Sequence, residues 1–296
     1  MNEQDWLAQR FEQDRRRLRA VAYRMLGSVS EAEDAVQEAW LRLSGSEPGK
    51  IENLSAWLTT VVARVSLNML RSRAIRREEP LSPHLPDPIV DPADGVDPEH
   101  EAMLADSVGL AMLVVLETLT PPERLAFVLH DMFGVPFEEI AILLERSPQA
   151  ARQLASRARR RVRAQPTTPD VDVSGQREVV NAFLAAAREG DFDALVATLD
   201  PDVVLRADGG AALAAVSAEV HGALNVARRA IMWSRVDLTM QPALVNGAAG
   251  MVATRNGVVF SIASVIVRNG KIAEMDFLAD PERLARLDVT ILDSRS

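Results

Sequence analysis

Apolar positions in the first part of the chain recur at helical spacing. Phe11 to Leu26 reads as a helix carrying the basic run Arg15-Arg16-Arg17 and stopped by Gly27. Ser30 opens a second helix as N-cap, and Glu33 three residues on completes a capping box. Ala32, Ala35, Val36, Ala39 and Leu43 form its inward face, while Glu31, Asp34, Gln37, Glu38 and Arg42 line the outer one. A Gly/Ser/Pro-rich loop, Ser44 to Asn53, leads to a long helix from Ser55. Leu58, Val61, Val62, Val65 and Met69 give that helix its core stripe, and Arg64, Asn68 and Arg71 occupy another face. Its end carries Arg71, Arg73, Arg76 and Arg77, where the helix dipole favours cations in any case. Trp40 and Trp57 are read first as core residues and second as stacking platforms.

Residues 79–100 read as a linker, because Pro80, Pro83, Pro86, Pro88, Pro92 and Pro98 interrupt any helix. Helical pattern resumes near Glu99 and runs to Leu119. Thr120 and Glu123 then have capping-box spacing, with Pro121 in the first helical position. Phe137, Ile140, Ala141 and Leu144 make the apolar stripe of a short helix, and Ser147 caps the next. That last helix buries Ala151, Leu154, Ala155, Ala158 and Val162. It exposes Gln149, Arg152, Gln153, Ser156, Arg157 and Arg160. Two tightly joined helices, the second small inside and Arg/Gln outside, predict a helix-turn-helix whose second helix fits a major groove.

After a second linker, 165–175, the pattern changes. A helix from Ser174 buries Val180, Phe183, Leu184 and Ala187 and ends at Gly190, and Asp191 caps a short helix. Val203-Val204-Leu205 reads as a strand entering Asp208-Gly209-Gly210, and a helix spans Leu224 to Trp233. Arg255-Asn256-Gly257 and Arg268-Asn269-Gly270 are hairpin signals between β-rich runs. Helices followed by an antiparallel meander predict an α+β domain with a curved sheet.

Composition narrows the chemistry. With 296 residues the chain suits two or three domains. It has no cysteine, so disulfides and thiolate chemistry are excluded, and its four histidines show no metal-ligand spacing. Catalytic residues, metal and cofactors are each read as none. The N-terminus has no signal-peptide pattern and no apolar run approaches spanning length, so a cytoplasmic protein without membrane contact is expected. The net charge of −9 is unevenly spread. Residues 1–78 carry 13 basic and 11 acidic side chains (+2), and 79–118 carry no basic and 9 acidic ones (−9). Residues 119–165 carry 8 and 5 (+3), and 166–296 carry 12 and 17 (−5). Screening cuts off distant charges beyond ~8 Å, so the acidic balance does not exclude DNA.

The block Glu31-Ala32-Glu33-Asp34-Ala35-Val36-Gln37-Glu38-Ala39-Trp40, with Ala56-Trp57-Leu58-Thr59-Thr60-Val61-Val62-Ala63-Arg64, resembles the sigma-2 domain of extracytoplasmic-function sigma factors. Ala150 to Arg159 resembles their sigma-4 domain. Phe183 to Asp191 with Asp208-Gly209-Gly210 resembles a SnoaL-like, NTF2-type fold. This order is that of the sigma-J-like group. The resemblance implies a multidomain chain: sigma-2 at 1–78, an acidic linker at 79–100, sigma-4 at 101–164, a linker at 165–175 and a SnoaL-like regulatory domain at 176–296.

By the same resemblance, Asp34, Gln37, Glu38, Trp40 and Arg42 would bind the β′ clamp helices of core RNA polymerase, and the β flap would be a second contact. The loop Ser44–Asn53 would hold flipped bases of the −10 strand, with Arg64, Asn68, Arg71, Arg73, Arg76 and Arg77 along it. Gln149, Arg152, Gln153, Ser156, Arg157 and Arg160 would read −35 duplex DNA, with Arg159 to Arg163 partly on phosphates. His84, Leu85 and Pro86 in the linker, Asp208 and Gly209, and Asp280, Pro281 and Arg283 would form a regulatory contact, the C-terminal domain acting in cis. The free protein is expected to be a monomer; Trp233, Met240 and Phe260 offer the walls of a small-molecule pocket in the C-terminal domain, with an ordinary core as the plainer reading.

The chain departs from the group in three places. The turn Leu144-Glu145-Arg146-Ser147 lacks the usual glycine, which predicts a non-glycine residue at positive φ. Where the group has Trp-Leu-Pro, this linker has His84-Leu85-Pro86, and Ala279-Asp280-Pro281-Glu282-Arg283-Leu284 replaces Asn-Pro-Asp-Lys-Leu. Two other classes stand beside the sigma factor. One is a one-component helix-turn-helix regulator with a ligand-sensing domain. The other is a cyclase or hydrolase fused to a DNA-binding unit and using Asp208 or His221, against which turn chemistry before two glycines and a loop position before Gly222 are the plainer readings.

Overall fold

The computed structural model describes residues 3–46, 51, 53–76, 85–92, 110–164, 172–287 and 289. The chain divides into two compact units, one of residues 1–79, 101–106 and 113–166, the other of 80–100, 107–112 and 167–296.

In the first unit α1 (Glu3–Leu26), α2 (Val29–Ser44) and α3 (Leu54–Arg76) pack mutually. The cap of α2 is Ser28, not Ser30: Ser28 Oγ accepts from the Glu31 amide, and Ser30 falls inside the helix. Glu33 is thereby released from capping and pairs with Arg15 and Arg19. Helix α3 is buried on more than the predicted stripe, with Ala63, Leu67 and Leu70 also inside. Beyond α4 (Leu110–Glu117) come α5 (Pro121–Phe127), a π-helical turn at Val128–Met132, α6 (Phe137–Leu144) and α7 (Pro148–Ala164). Thr120 N and Oγ1 both donate to Glu123 Oε2, as the capping-box spacing predicted. The turn residue at positive φ is Glu145, at 55°. Ala151, Ala155 and Ala158 are fully buried, small enough to let α7 lie close against α5.

The second unit is built on a seven-stranded sheet in the order β1-β4-β5-β6-β7-β2-β3. Its strands are β1 (Val90–Pro92), β2 (Leu199–Asp208), β3 (Ala218–His221), β4 (Thr239–Val245), β5 (Ala248–Arg255), β6 (Val258–Arg268) and β7 (Lys271–Leu278). Neighbours are antiparallel except β2 and β7, which run parallel, so the predicted antiparallel sheet is mixed at one junction. Asn-Gly pairs at 256–257 and 269–270 sit at positive φ as primed hairpin turns require, and Asn246-Gly247, which was not anticipated, makes a third. Helices α8 (Val173–Glu189), α9 (Phe192–Thr198) and α10 (Ala223–Ser234) bury Val180, Phe183, Leu195 and Val226 against Met251, Val265 and Met275 on one face of the sheet. Asp172 rather than Ser174 caps α8.

The opposite face holds Arg206 (β2) between Glu274 and Asp276 (β7) at 3.1 and 3.0 Å. Burial pushes the Asp276 carboxyl up to about 6, against the pull of Arg206. Burial also lowers the Arg206 guanidinium, but Asp276 and Glu274 outweigh that and raise it. An acid whose folded pKa exceeds its unfolded value binds more protons when folded, so its contribution to stability is lost as pH rises from about 4 to 6. A rise of about two pH units corresponds to about 3 kcal/mol. Asp276→Asn should therefore gain on the wild type by that order across this window in urea titrations. A difference that stays flat with pH would contradict the shift.

Candidate functional site

Helix α2 turns Asp34 and Gln37 outward, and Glu38 pairs with Arg42 at 2.9 Å on the same surface. Trp40 is half-buried instead, its ring 5.1 Å from that of Phe11, and so serves the bundle edge more than the outer face. The sequence reading missed Leu41, which is 57% exposed one turn beyond Gln37. An outward leucine among acids, breaking the amphipathic pattern, was the available signal.

Helix α3 presents Arg64, Asn68 and Arg71 in one exposed stripe, since steps of four and three residues return to the same face. Asn68 and Arg42 line a common cleft between α2 and α3. Arg73 is not part of the stripe. Its Nη1 donates to the Leu26 carbonyl at 2.9 Å and its Nε to Glu31 at 3.1 Å, so it ties the end of α3 to α1 and α2. The Arg76 side chain, Arg77 and residues 47–50 and 52 of the Ser44–Asn53 loop lie outside the described residues.

On α7 all six predicted readers, Gln149, Arg152, Gln153, Ser156, Arg157 and Arg160, are exposed. They share the face opposite the buried alanines, and Ser147 Oγ accepts from the Ala150 amide to start the helix. Arg152 pairs with Glu138 at 2.9 Å and lies over the Phe137 ring, which couples α7 to α6. Arg159 and Arg161, predicted to lie partly on phosphates, have carboxylate partners within the unit. They pair with Asp131 and Glu123, holding α7 to the turn and helix before it.

In the second unit the three regulatory segments meet. Arg283 Nε donates to Asp87 Oδ1 and Nη1 to Asp208 Oδ2, both at 2.8 Å, and Nη2 reaches the Leu85 carbonyl. Asp208 Oδ2 also accepts from the Leu85 amide, and Oδ1 from the Gly210 amide. Asp280 Oδ1 caps α11 (Pro281–Leu284), which carries Arg283. Gly210 is required here: at φ 60° a Cβ would stand 2.1 Å from Asp280 Oδ2. Gly209 is as tight, facing the Leu213 carbonyl. Farther along the same strap Ile89 and Asn246 exchange two hydrogen bonds, and β1 pairs with β4. Leu85, Ile89 and Val90 are buried. The described stretch 85–92 of the segment read as a linker thus packs into the second unit: its apolar residues outweigh its prolines. His84 lies outside the described residues.

Residues 10–75 match the family Sigma-70 region 2, and residues 110–162 match Sigma-70, region 4. The chain is 42% identical over 287 residues to the ECF RNA polymerase sigma factor SigJ of Mycobacterium tuberculosis, covering 92% of this chain and 91% of that one. The chain belongs to the extracytoplasmic-function sigma factors. The probable sigma factor SigI of the same organism is 33% identical, covering 96% of this chain and 97% of that one. The crystal structure of SigJ superposes with a TM-score of 0.74 at 37% identity, covering 95% of this chain and 99% of that chain. As an alternative sigma factor the protein binds core RNA polymerase and promoter DNA and directs transcription initiation.

In this sigma factor Asp208 and His221 are not brought together. Asp208 is held by Arg283, and His221 is exposed and faces Glu219 at 3.0 Å. Neither lines the cavity between α8, α10 and the sheet, whose walls include Trp233, Met240 and Phe260, for which an ordinary core was the plainer expectation. Among the described residues no group of three His, Asp or Glu could hold a metal, and no helix is long and apolar enough to cross a membrane.

Proposed function

We propose that the surfaces of the first unit divide the work of promoter recognition. Asp34, Gln37 and Glu38, joined by Leu41, dock on the β′ clamp helices, and the region-4 helices take the β flap. Arg64, Asn68 and Arg71 follow the phosphates of the −10 strand, and α7 enters the major groove at −35. The observation that carries this is the exposure of all six α7 residues on one face, opposite buried alanines. An exposed Arg/Gln helix face has the donors that bases and phosphates accept. We further propose that the second unit acts in cis, through the strap that Arg283 fastens, and that it performs no turnover. Asp208 is occupied, and among the described residues no carboxylate or imidazole lines the cavity. The free protein is read as a monomer in the cytoplasm.

The test is promoter-directed transcription with core polymerase. Arg152→Ala with Arg157→Ala should cut transcripts from promoters with a −35 element by roughly tenfold or more, since each good base contact is worth about 1–3 kcal/mol. Arg64→Ala with Arg71→Ala should reduce strand opening and flatten the salt dependence. Wild-type transcript levels from both variants would sink the assignment.

A further inference from the structure

The cavity of the second unit is the feature that promoter recognition leaves unused. Its volume is about 140 Å³, close to the ~150 Å³ of an apolar cavity known to hold a benzene ring. Protein interiors rarely leave such a space. Phe183, Trp233, Met240 and Phe260 contribute apolar walls, and Arg188 and Arg229 line it too. Among the described residues no acid joins them there. Arg229 Nη2 donates to the Val216 carbonyl at 2.8 Å and Arg188 Nε to the Leu184 carbonyl at 3.2 Å. A carbonyl orients a guanidinium but leaves its charge uncompensated, and neither arginine has an ion pair among the described residues. Arg229 is itself half-buried, so its charge is partly withdrawn from water. A planar guanidinium with donors to spare recognises a carboxylate.

We infer that this cavity is a binding site for a small apolar carboxylic acid, of about one ring, held by aromatic and thioether walls with its carboxylate on Arg229. Arg188 supplies the second positive charge. The walls set the size of the apolar part, and the arginines select an anion over a neutral molecule of the same shape. The inference stands apart from the promoter assignments, because it concerns binding to the free protein.

Calorimetric titration of the full chain tests it, with benzoate as probe and benzyl alcohol as its neutral counterpart. Benzoate should bind within a range reaching about 10 mM, the scale set by ligand efficiency for nine non-hydrogen atoms. Benzyl alcohol should bind roughly tenfold more weakly, the difference that charge-assisted hydrogen bonds make. Arg229→Gln should bring benzoate down to the benzyl alcohol level without changing benzyl alcohol binding. Ala187→Phe, which fills the cavity from α8, should abolish both while the melting temperature shows the protein still folded. Should that variant fail to fold, the Arg229→Gln comparison decides alone. The inference is overturned if folded wild-type protein gives no heat with benzoate, or if benzoate and benzyl alcohol bind alike and Arg229→Gln changes neither.

Discussion

Arg283→Ala should destabilise the second unit by about 3–5 kcal/mol, the usual loss when one partner of a buried ion pair is removed. The side chains of Asp87 and Asp208 are only 10% and 5% exposed, and Arg283 pairs with both. Truncating it leaves two carboxylates and the Leu85 carbonyl short of a donor in a poorly solvated place. Asp208 would retain the Leu85 and Gly210 amides, which limits the damage on that side. Denaturant unfolding of the wild type, Arg283→Ala, Asp87→Asn and the double variant gives the coupling directly, because neighbouring residues fail to add. A loss below about 1 kcal/mol would mean that water replaces the guanidinium easily. In transcription assays the same variant should change promoter-directed activity, since it unfastens residues 85–87 from the domain proposed to act on them.

Reading the sequence located this clasp only through family resemblance. Leu85, Asp87, Asp208 and Arg283 are up to about two hundred positions apart, and no local period links them. The acidic, proline-rich composition of 79–100 marks a linker, and proline counting does not register the three buried apolar side chains and the short β-ladder of 85–92. Local signals did better where the physics is local. The Thr120–Glu123 box and the two Asn-Gly hairpins formed as predicted, and so did the positive φ at Glu145. The α7 surface was legible for the same reason, since one helical period separates alanine from arginine. Arginines were harder. The pattern could not separate the exposed Arg64 and Arg71 from Arg73, or Arg157 from Arg159 and Arg161, because their partners Glu31, Asp131 and Glu123 come from other elements. The parallel junction of β2 with β7 was hidden likewise, for a crossover leaves no mark on either strand.

Arg124→Ala should have an effect of similar size in the first unit, with a different signature. Arg124 is 3% exposed; its Nη1 donates to the Met25 carbonyl at 2.9 Å and to Glu117 at 2.8 Å. It therefore joins the end of α1, in region 2, to the start of region 4. Nearby, Arg24 lies over the Phe133 ring with 5.1 Å to its centroid, a second buried cation on the same junction. Losing Arg124 removes a buried cation that serves both the Met25 carbonyl and Glu117, at about 3–5 kcal/mol. Lysine at this position keeps the charge but not the guanidinium fork, so Arg124→Lys should fall between wild type and alanine. Because the contact bridges two helical groups that each have a core, its loss should also weaken their cooperativity. In calorimetry the van't Hoff enthalpy of the helical unit should drop below the calorimetric one, the mark of a transition no longer two-state. If Arg124→Ala lowers stability while the two enthalpies keep their wild-type ratio, the arginine supports region 4 alone and the bridge to Met25 contributes little. If stability scarcely moves, neither contact matters to the fold.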